Sequence, residues 1–257
     1  MSMIIAFHSF RGGTGKSSIA VNVATQLALK GKRVGLVDTD ILSPGIYVHF
    51  QMDENVVDRT LNDYLLGRCT IDRATYDVSH QVGLGTGASS GGCMYLVPTH
   101  PRAGEIMRIM REGYDVSRLS EGFQDLIEGF ALEYLLLDTH PGWSEEAFVS
   151  MAISDLLFLI LRPDQKDYLG TAITTEVARS LDIPHVFLIV NKALSRYDFD
   201  ELRRKVVQAY ACSVVTVLPL SEDVADMASA GIFSLHDPGH PFSQGVSEIV
   251  GCIEAQR

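Results

Sequence analysis

Seven short apolar runs punctuate the chain, at residues 4–8, 33–38, 95–97, 134–138, 156–161, 185–191 and 214–218, and helix-like segments follow most of them. Several, such as Leu156-Leu157-Phe158-Leu159-Ile160-Leu161, are apolar at every position and do not alternate. Strands buried on both faces read this way, as they do in a parallel sheet covered by helices. The order of runs predicts an α/β fold: a doubly wound, mainly parallel sheet with helices on both faces and its ligand at the strands' carboxyl ends. A chain of 257 residues suits one such domain, spanning 1–257. Segment 83–92, with five glycines and three Ser/Thr, reads as a flexible connection.

The first run leads into His8-Ser9-Phe10-Arg11-Gly12-Gly13-Thr14-Gly15-Lys16-Ser17-Ser18, and an amphipathic helix is expected from Ile19 onward. A glycine-rich turn between strand and helix aims backbone N–H groups and the positive end of a helix dipole at an anion. Lys16 can reach the β- and γ-phosphates of a nucleotide, and the Ser17 hydroxyl can ligate Mg²⁺. The stretch is a phosphate-binding P-loop. Its phosphate contacts are expected from Gly12, Gly13, Thr14, Gly15, Lys16, Ser17 and Ser18.

Composition narrows the setting. With 46% hydrophobic and 21% charged residues the chain is globular. No apolar stretch approaches the length of a transmembrane helix, and no basic region precedes an apolar one at the start, so neither a membrane anchor nor a signal peptide is expected. Cys69, Cys93, Cys212 and Cys252 form no C-x-x-C, which suits reduced thiols and a cytoplasmic protein. A net charge of −11 argues against a broadly basic surface for nucleic acid. The one tight basic cluster, Arg203-Arg204-Lys205, follows Asp198, Asp200 and Glu201 and reads as a solvated helix face.

Further motifs fall just after other predicted strands. Asp38-Thr39-Asp40 ends the second run, and such paired carboxylates suit Mg²⁺ and water chemistry. Asp138 ends the run Tyr134-Leu135-Leu136-Leu137, the Walker B arrangement. Gly142 follows in Thr139-His140-Pro141-Gly142 and lets backbone approach a γ-phosphate. His140 reads as an ordinary loop histidine. Asn191 ends the 185–191 run, and an amide there can pair with adenine N6 and N7.

The loop resembles the deviant P-loop of the ParA/MinD family, K-G-G-x-G-K-[ST], with Arg11 in place of the signature lysine. D-x-D, Walker B, Asn and the loop Val217-Leu218-Pro219-Leu220-Ser221 follow in family order. The resemblance implies a Mg²⁺-dependent ATPase whose two subunits sandwich two ATP molecules and part on hydrolysis. It assigns Asp40 to the attacking water, Asp38 to the outer shell of the magnesium, and Ser17 and Asp138 to the metal. Asn191, Pro219 and Leu220 are assigned to adenine, and Arg11 to the opposite subunit's phosphates.

Family members differ in what they move. The C-terminal helix carries Val246, Ile249, Val250 and Ile253 on one face but only Arg257 as a basic residue, so a direct membrane anchor is not expected. From Ala193 to Arg257 there are five Lys/Arg against nine Asp/Glu, which disfavours direct DNA binding. The expectation is an ATP-dependent homodimeric switch that positions or regulates a protein partner. The alternatives are a small-molecule synthetase or ligase on the same fold, a DNA-partitioning ATPase, and an inert nucleotide-binding scaffold.

Overall fold

The computed structural model describes residues 2–53, 56–85, 91–99, 102–227 and 229–257. Its strands are β1 (Met3–His8), β2 (Arg33–Asp38), β3 (Tyr76–Asp77), β4 (Cys93–Val97), β5 (Tyr134–Asp138), β6 (Leu156–Leu161), β7 (His185–Ala193) and β8 (Val214–Pro219). They form one sheet in the order β3-β4-β2-β5-β1-β6-β7-β8. Every pairing is parallel except β3 with β4.

The helices that cover the sheet are α1 (Lys16–Leu29), α2 (Arg118–Gly129), α3 (Glu145–Ala152), α4 (Gln165–Ser180), α5 (Phe199–Tyr210) and α6 (Pro241–Ala255). Because side chains alternate along a strand, β6 serves both layers at once. Leu156, Phe158 and Ile160 join the core under α1 and α6, whereas Leu157, Leu159 and Leu161 pack with Ala178 of α4 and Val206 of α5. Each such fully buried side chain stabilises the fold by about 1.5–3 kcal/mol, which is why β6 is apolar throughout. On the second layer Leu119, Phe123 and Leu126 of α2 cover Leu135 and Leu137 of β5. The apolar face of α6, with Val246, Ile249, Val250 and Ile253, is fully buried against the sheet.

The seven expected strands are present, and the structure adds β3. Two residues at a sheet edge carry no readable pattern, and β3 is held by Tyr76 pairing with Leu96 of β4. β4 begins at Cys93 and α1 at Lys16, each earlier than the apolar signal, because Lys-Ser-Ser gives a helix start no hydrophobic mark. Of the glycine-rich segment 83–92, residues 86–90 lie outside the described residues. Arg203 pairs with Glu248 of α6, and Lys205 pairs with Glu201 one turn earlier in α5. Among the described residues no helix is long and apolar enough to cross a membrane.

Candidate functional site

Parallel register builds the site. Phe7 of β1 pairs with Asp138 of β5, and Asp138 with Asp38 of β2, so both carboxylates leave the sheet beside the start of the P-loop. This edge is where the chain crosses from one side of β1 to the other, the position at which open α/β sheets bind ligands.

The P-loop turns into α1 through Gly15, at φ +91°. A Cβ there would stand 2.3 Å from Nδ2 of Asn191, so both the backbone conformation and the close approach demand glycine. Asn191 Nδ2 donates to the Thr14 carbonyl oxygen at 2.7 Å, and Oδ1 accepts from the Lys192 N–H at 2.9 Å. Those two partners fix which way the amide points. One N–H and one lone pair remain for a base. Lys192 Nζ braces the same loop through the Gly13 carbonyl at 2.8 Å.

Lys16 and Ser17 both turn onto Asp138. Lys16 Nζ lies 2.5 Å from Oδ1 and Ser17 Oγ donates to Oδ2 at 2.6 Å, with the carboxylate almost fully buried. An unpaired ammonium at this depth is costly, so Asp138 holds the charge of Lys16 when no phosphate does.

Asp38 faces the loop that follows it. Its carboxylate accepts from the backbone N–H of Asp40 at 3.0 Å and from the Thr99 hydroxyl at 3.0 Å, with longer contacts to the N–H groups of Gly45 and Ile46. Burial, then the charges of Asp138 and Asp40, push its pKa up to about 7. Asp38 therefore orders the loop that carries Asp40.

Asp40 Oδ1 lies 2.6 Å from Nδ1 of His140. The sequence reads this histidine as an ordinary loop residue, since nothing in a loop Thr-His-Pro-Gly shows that it meets a carboxylate a hundred residues earlier. The adjacency of β2 and β5 brings the two loops together. His8, fully buried at the end of β1, was also unmarked. Its Nδ1 is 2.8 Å from Thr139 Oγ1, and that hydroxyl donates to the Phe7 carbonyl at 2.9 Å. The shared hydroxyl must then accept from His8. Burial, with the charge of Lys16 next, pulls the pKa of His8 down to about 3.

Two adjoining cavities open over these groups. One, of about 330 Å³, is lined by P-loop residues 12–18 together with Asp40, Pro141 and Lys192. The other, of about 230 Å³, is lined by Asn191, Pro219, Leu220 and Val224 among others. Gly15, Ser18, His49, Lys192 and Ser229 border both. All seven P-loop residues and Asp40 thus share the first cavity, and Asn191, Pro219 and Leu220 share the second.

Asp38, Asp138, Gly142 and Arg11 stand outside the cavity walls. The Gly142 N–H donates to the Ser9 carbonyl at 3.0 Å, tying the loop after β5 to the P-loop. Arg11 Nη1 sits 3.5 Å from Asp167 Oδ1 and 3.7 Å from Asp164 Oδ1, at the start of α4.

A family model for ParA, described as the NUBPL iron-transfer P-loop NTPase, matches residues 1–66. An ATP-binding protein of Methanocaldococcus jannaschii is 25% identical over 251 residues, covering 97% of this chain and 86% of its own length. The iron-sulfur cluster carrier protein of the same organism is 28% identical over 190 residues, or 73% of this chain and 59% of the carrier. The septum site-determining protein MinD of Pyrococcus horikoshii, solved with Mg-ADP, superposes with a TM-score of 0.80 at 19% identity, covering 98% of this chain and 96% of MinD. The superposition and the sheet order give this chain the fold of the MinD/ParA P-loop NTPases, and its P-loop segment is similar in sequence to theirs.

Proposed function

We propose that the protein binds ATP with Mg²⁺, hydrolyses it to ADP and phosphate, and uses the cycle to make and release a homodimer that positions or regulates a protein partner in the cytoplasm. One observation carries the proposal: a P-loop cavity and a base cavity share a border, with the Asp40 carboxylate on the wall of the first. Base, sugar and phosphates of one nucleotide fit that sequence of surroundings.

In this reading the triphosphate takes over Lys16 from Asp138, and the P-loop N–H groups and the dipole of α1 hold the phosphate oxygens. Ser17 Oγ and Asp138 Oδ2, 2.6 Å apart, are hard oxygen donors of the kind Mg²⁺ prefers. Bound there, Mg²⁺ would neutralise phosphate charge. Asp40 holds the attacking water, and His140 occupies one carboxylate oxygen so that the other is left for it. Asn191 offers adenine its spare N–H to N7 and its spare lone pair to N6, while Pro219 and Leu220 supply apolar contact.

Iron–sulfur carriage is not part of the proposal, although several relatives are named for it or for iron–sulfur cluster assembly. The chain has no C-x-x-C, and among the described residues no three His, Cys, Asp or Glu side chains group as metal ligands. The test is Asp40→Ala. It should bind ATP, hydrolyse it at least a hundredfold more slowly in a single turnover, and accumulate as a dimer by light scattering. Normal single-turnover hydrolysis in this variant would remove Asp40 from the chemistry.

A further inference from the structure

His49 ends the short helix Ile46–His49 and borders both cavities. Its place follows from the loop that Asp38 orders, since Asp38 takes the N–H of Ile46 at the start of that helix. A nucleotide with its base in one cavity and its phosphates in the other has its ribose at their common border.

The chemistry His49 offers there is fixed by its other nitrogen. Nδ1 lies 3.0 Å from the carbonyl oxygen of Gly231, and a carbonyl only accepts, so Nδ1 carries the proton. Burial lowers the pKa of the ring and keeps it neutral at physiological pH. In a neutral ring protonated at Nδ1, Nε2 is a lone-pair acceptor. Among the described residues it has no hydrogen-bond partner.

Other polar groups near the border already have a partner or select nothing. Asn22 donates to the Ser18 carbonyl and accepts from the Ser234 N–H, and Lys192 Nζ donates to the Gly13 carbonyl. The hydroxyls of Ser18 and Ser229 can rotate to donate or accept, so they select nothing. An acceptor is repelled by phosphate oxygens and satisfied by a hydroxyl.

We propose that His49 reads the sugar, with Nε2 accepting a hydrogen bond from a ribose hydroxyl of the bound nucleotide. This rests on the nucleotide-binding reading above and deepens it: His49 is a specificity residue that favours ribonucleotides over deoxyribonucleotides. One neutral hydrogen bond of this kind is worth roughly a two- to tenfold difference in affinity.

The experiment is calorimetric titration of the intact protein with ATP, 2′-deoxy-ATP and 3′-deoxy-ATP, each with Mg²⁺. The wild-type protein is expected to bind ATP about two- to tenfold more tightly than one of the two deoxy forms, and which one identifies the hydroxyl. His49→Phe should lower ATP affinity to the level of that deoxy form and leave the deoxy form unchanged. His49→Gln, whose amide can face Gly231 and still offer an oxygen, should keep part of the preference. Equal affinity of the wild-type protein for all three nucleotides overturns the proposal while sparing the ATP reading. So does a preference that survives in folded His49→Phe. Absence of ATP binding in the wild-type protein would instead remove the reading on which it rests.

Discussion

Asn191→Ala separates two jobs that one side chain performs. Asn191 is 5% exposed and borders the base cavity, yet its Nδ2 is engaged with the carbonyl of Thr14. Deleting the amide leaves that buried carbonyl oxygen unpaired, which costs about 1–3 kcal/mol. It also frees the N–H of Lys192, a residue held at φ +58° in the left-handed region that side chains disfavour. The nucleotide-free protein should lose about 2 kcal/mol, or roughly 4–8 °C in unfolding temperature for a chain of this size. Urea unfolding and calorimetry without nucleotide measure this term alone. The ratio of ATP to GTP affinity measures the other, and it should fall about tenfold as the wrong base ceases to leave a buried amide unpaired. Asn191→Asp sharpens the test, because it keeps the volume and the acceptor for Lys192 but sets an oxygen against the Thr14 oxygen. An Asn191→Ala protein as stable as wild type would refute the bracing of the P-loop. Unchanged base choice in a destabilised variant would refute the reading of adenine.

His140→Ala should lower kcat about tenfold with KM within twofold, since His140 aligns Asp40 and borders neither cavity; equal loss in both constants would mean a damaged binding site. His8 should make the fold sensitive to acid. Its folded pKa of about 3 lies below its ordinary 6.5, so the unfolded chain takes the proton first, and stability is full above about pH 6.5 and lost as pH falls toward 3. The slope from this one group approaches 1.4 kcal/mol per pH unit. Urea unfolding at pH 7, 6 and 5 should show a smaller loss for His8→Thr than for wild type, and parallel curves would refute the assignment. Arg11→Ala should bind ATP as the wild type does but fail to dimerise with a non-hydrolysable analogue, with Arg11→Lys restoring part of the dimer. Light scattering at matched concentration decides it.

Much of the site could be read because its residues sit at the ends of apolar runs. Asp38, Asp138 and Asn191 each end a strand that sequence pattern alone marks, and register then brings two of them side by side. What could not be read are contacts between loops. His140 meets Asp40, and His49 meets Gly231, across separations that no local period records. The orientation of Asp38 was hidden for a related reason: its four donors come from backbone and from Thr99, and neither source has a sequence signature. β3 and the first turn of α1 were missed because two edge residues and Lys-Ser-Ser carry no hydrophobic periodicity.

In the proposed dimer Arg11 would exchange the partners it has in the single chain for the phosphates of the second subunit. In the single chain it leans on Asp164 and Asp167, away from the phosphate cavity. Those contacts are long, at 3.5 and 3.7 Å, and the Arg11 side chain is 37% exposed, so their worth is about 0–1 kcal/mol. Asp167, by contrast, is buried, and a buried carboxylate stripped of its partner would resist release. It is not stripped, because Oδ2 of Asp167 takes both the backbone N–H and Nε of Arg162 at 3.0 Å. Arg11 is therefore the surplus cation of the group and can leave at little cost. The backbone beneath it is anchored. The Phe10 ring fills the space where a Gly170 Cβ would come within 2.0 Å, fastening the loop to the helix that also holds Arg11. A fixed base and a cheaply released guanidinium are what a reach toward a second subunit's phosphates requires, and the planar fork can grip two oxygens on arrival. Gly170→Ala tests the anchor separately: displacing Phe10 should weaken analogue-induced dimerisation even with Arg11 intact, and an unaltered dimer in that variant would show that the loop needs no such anchor.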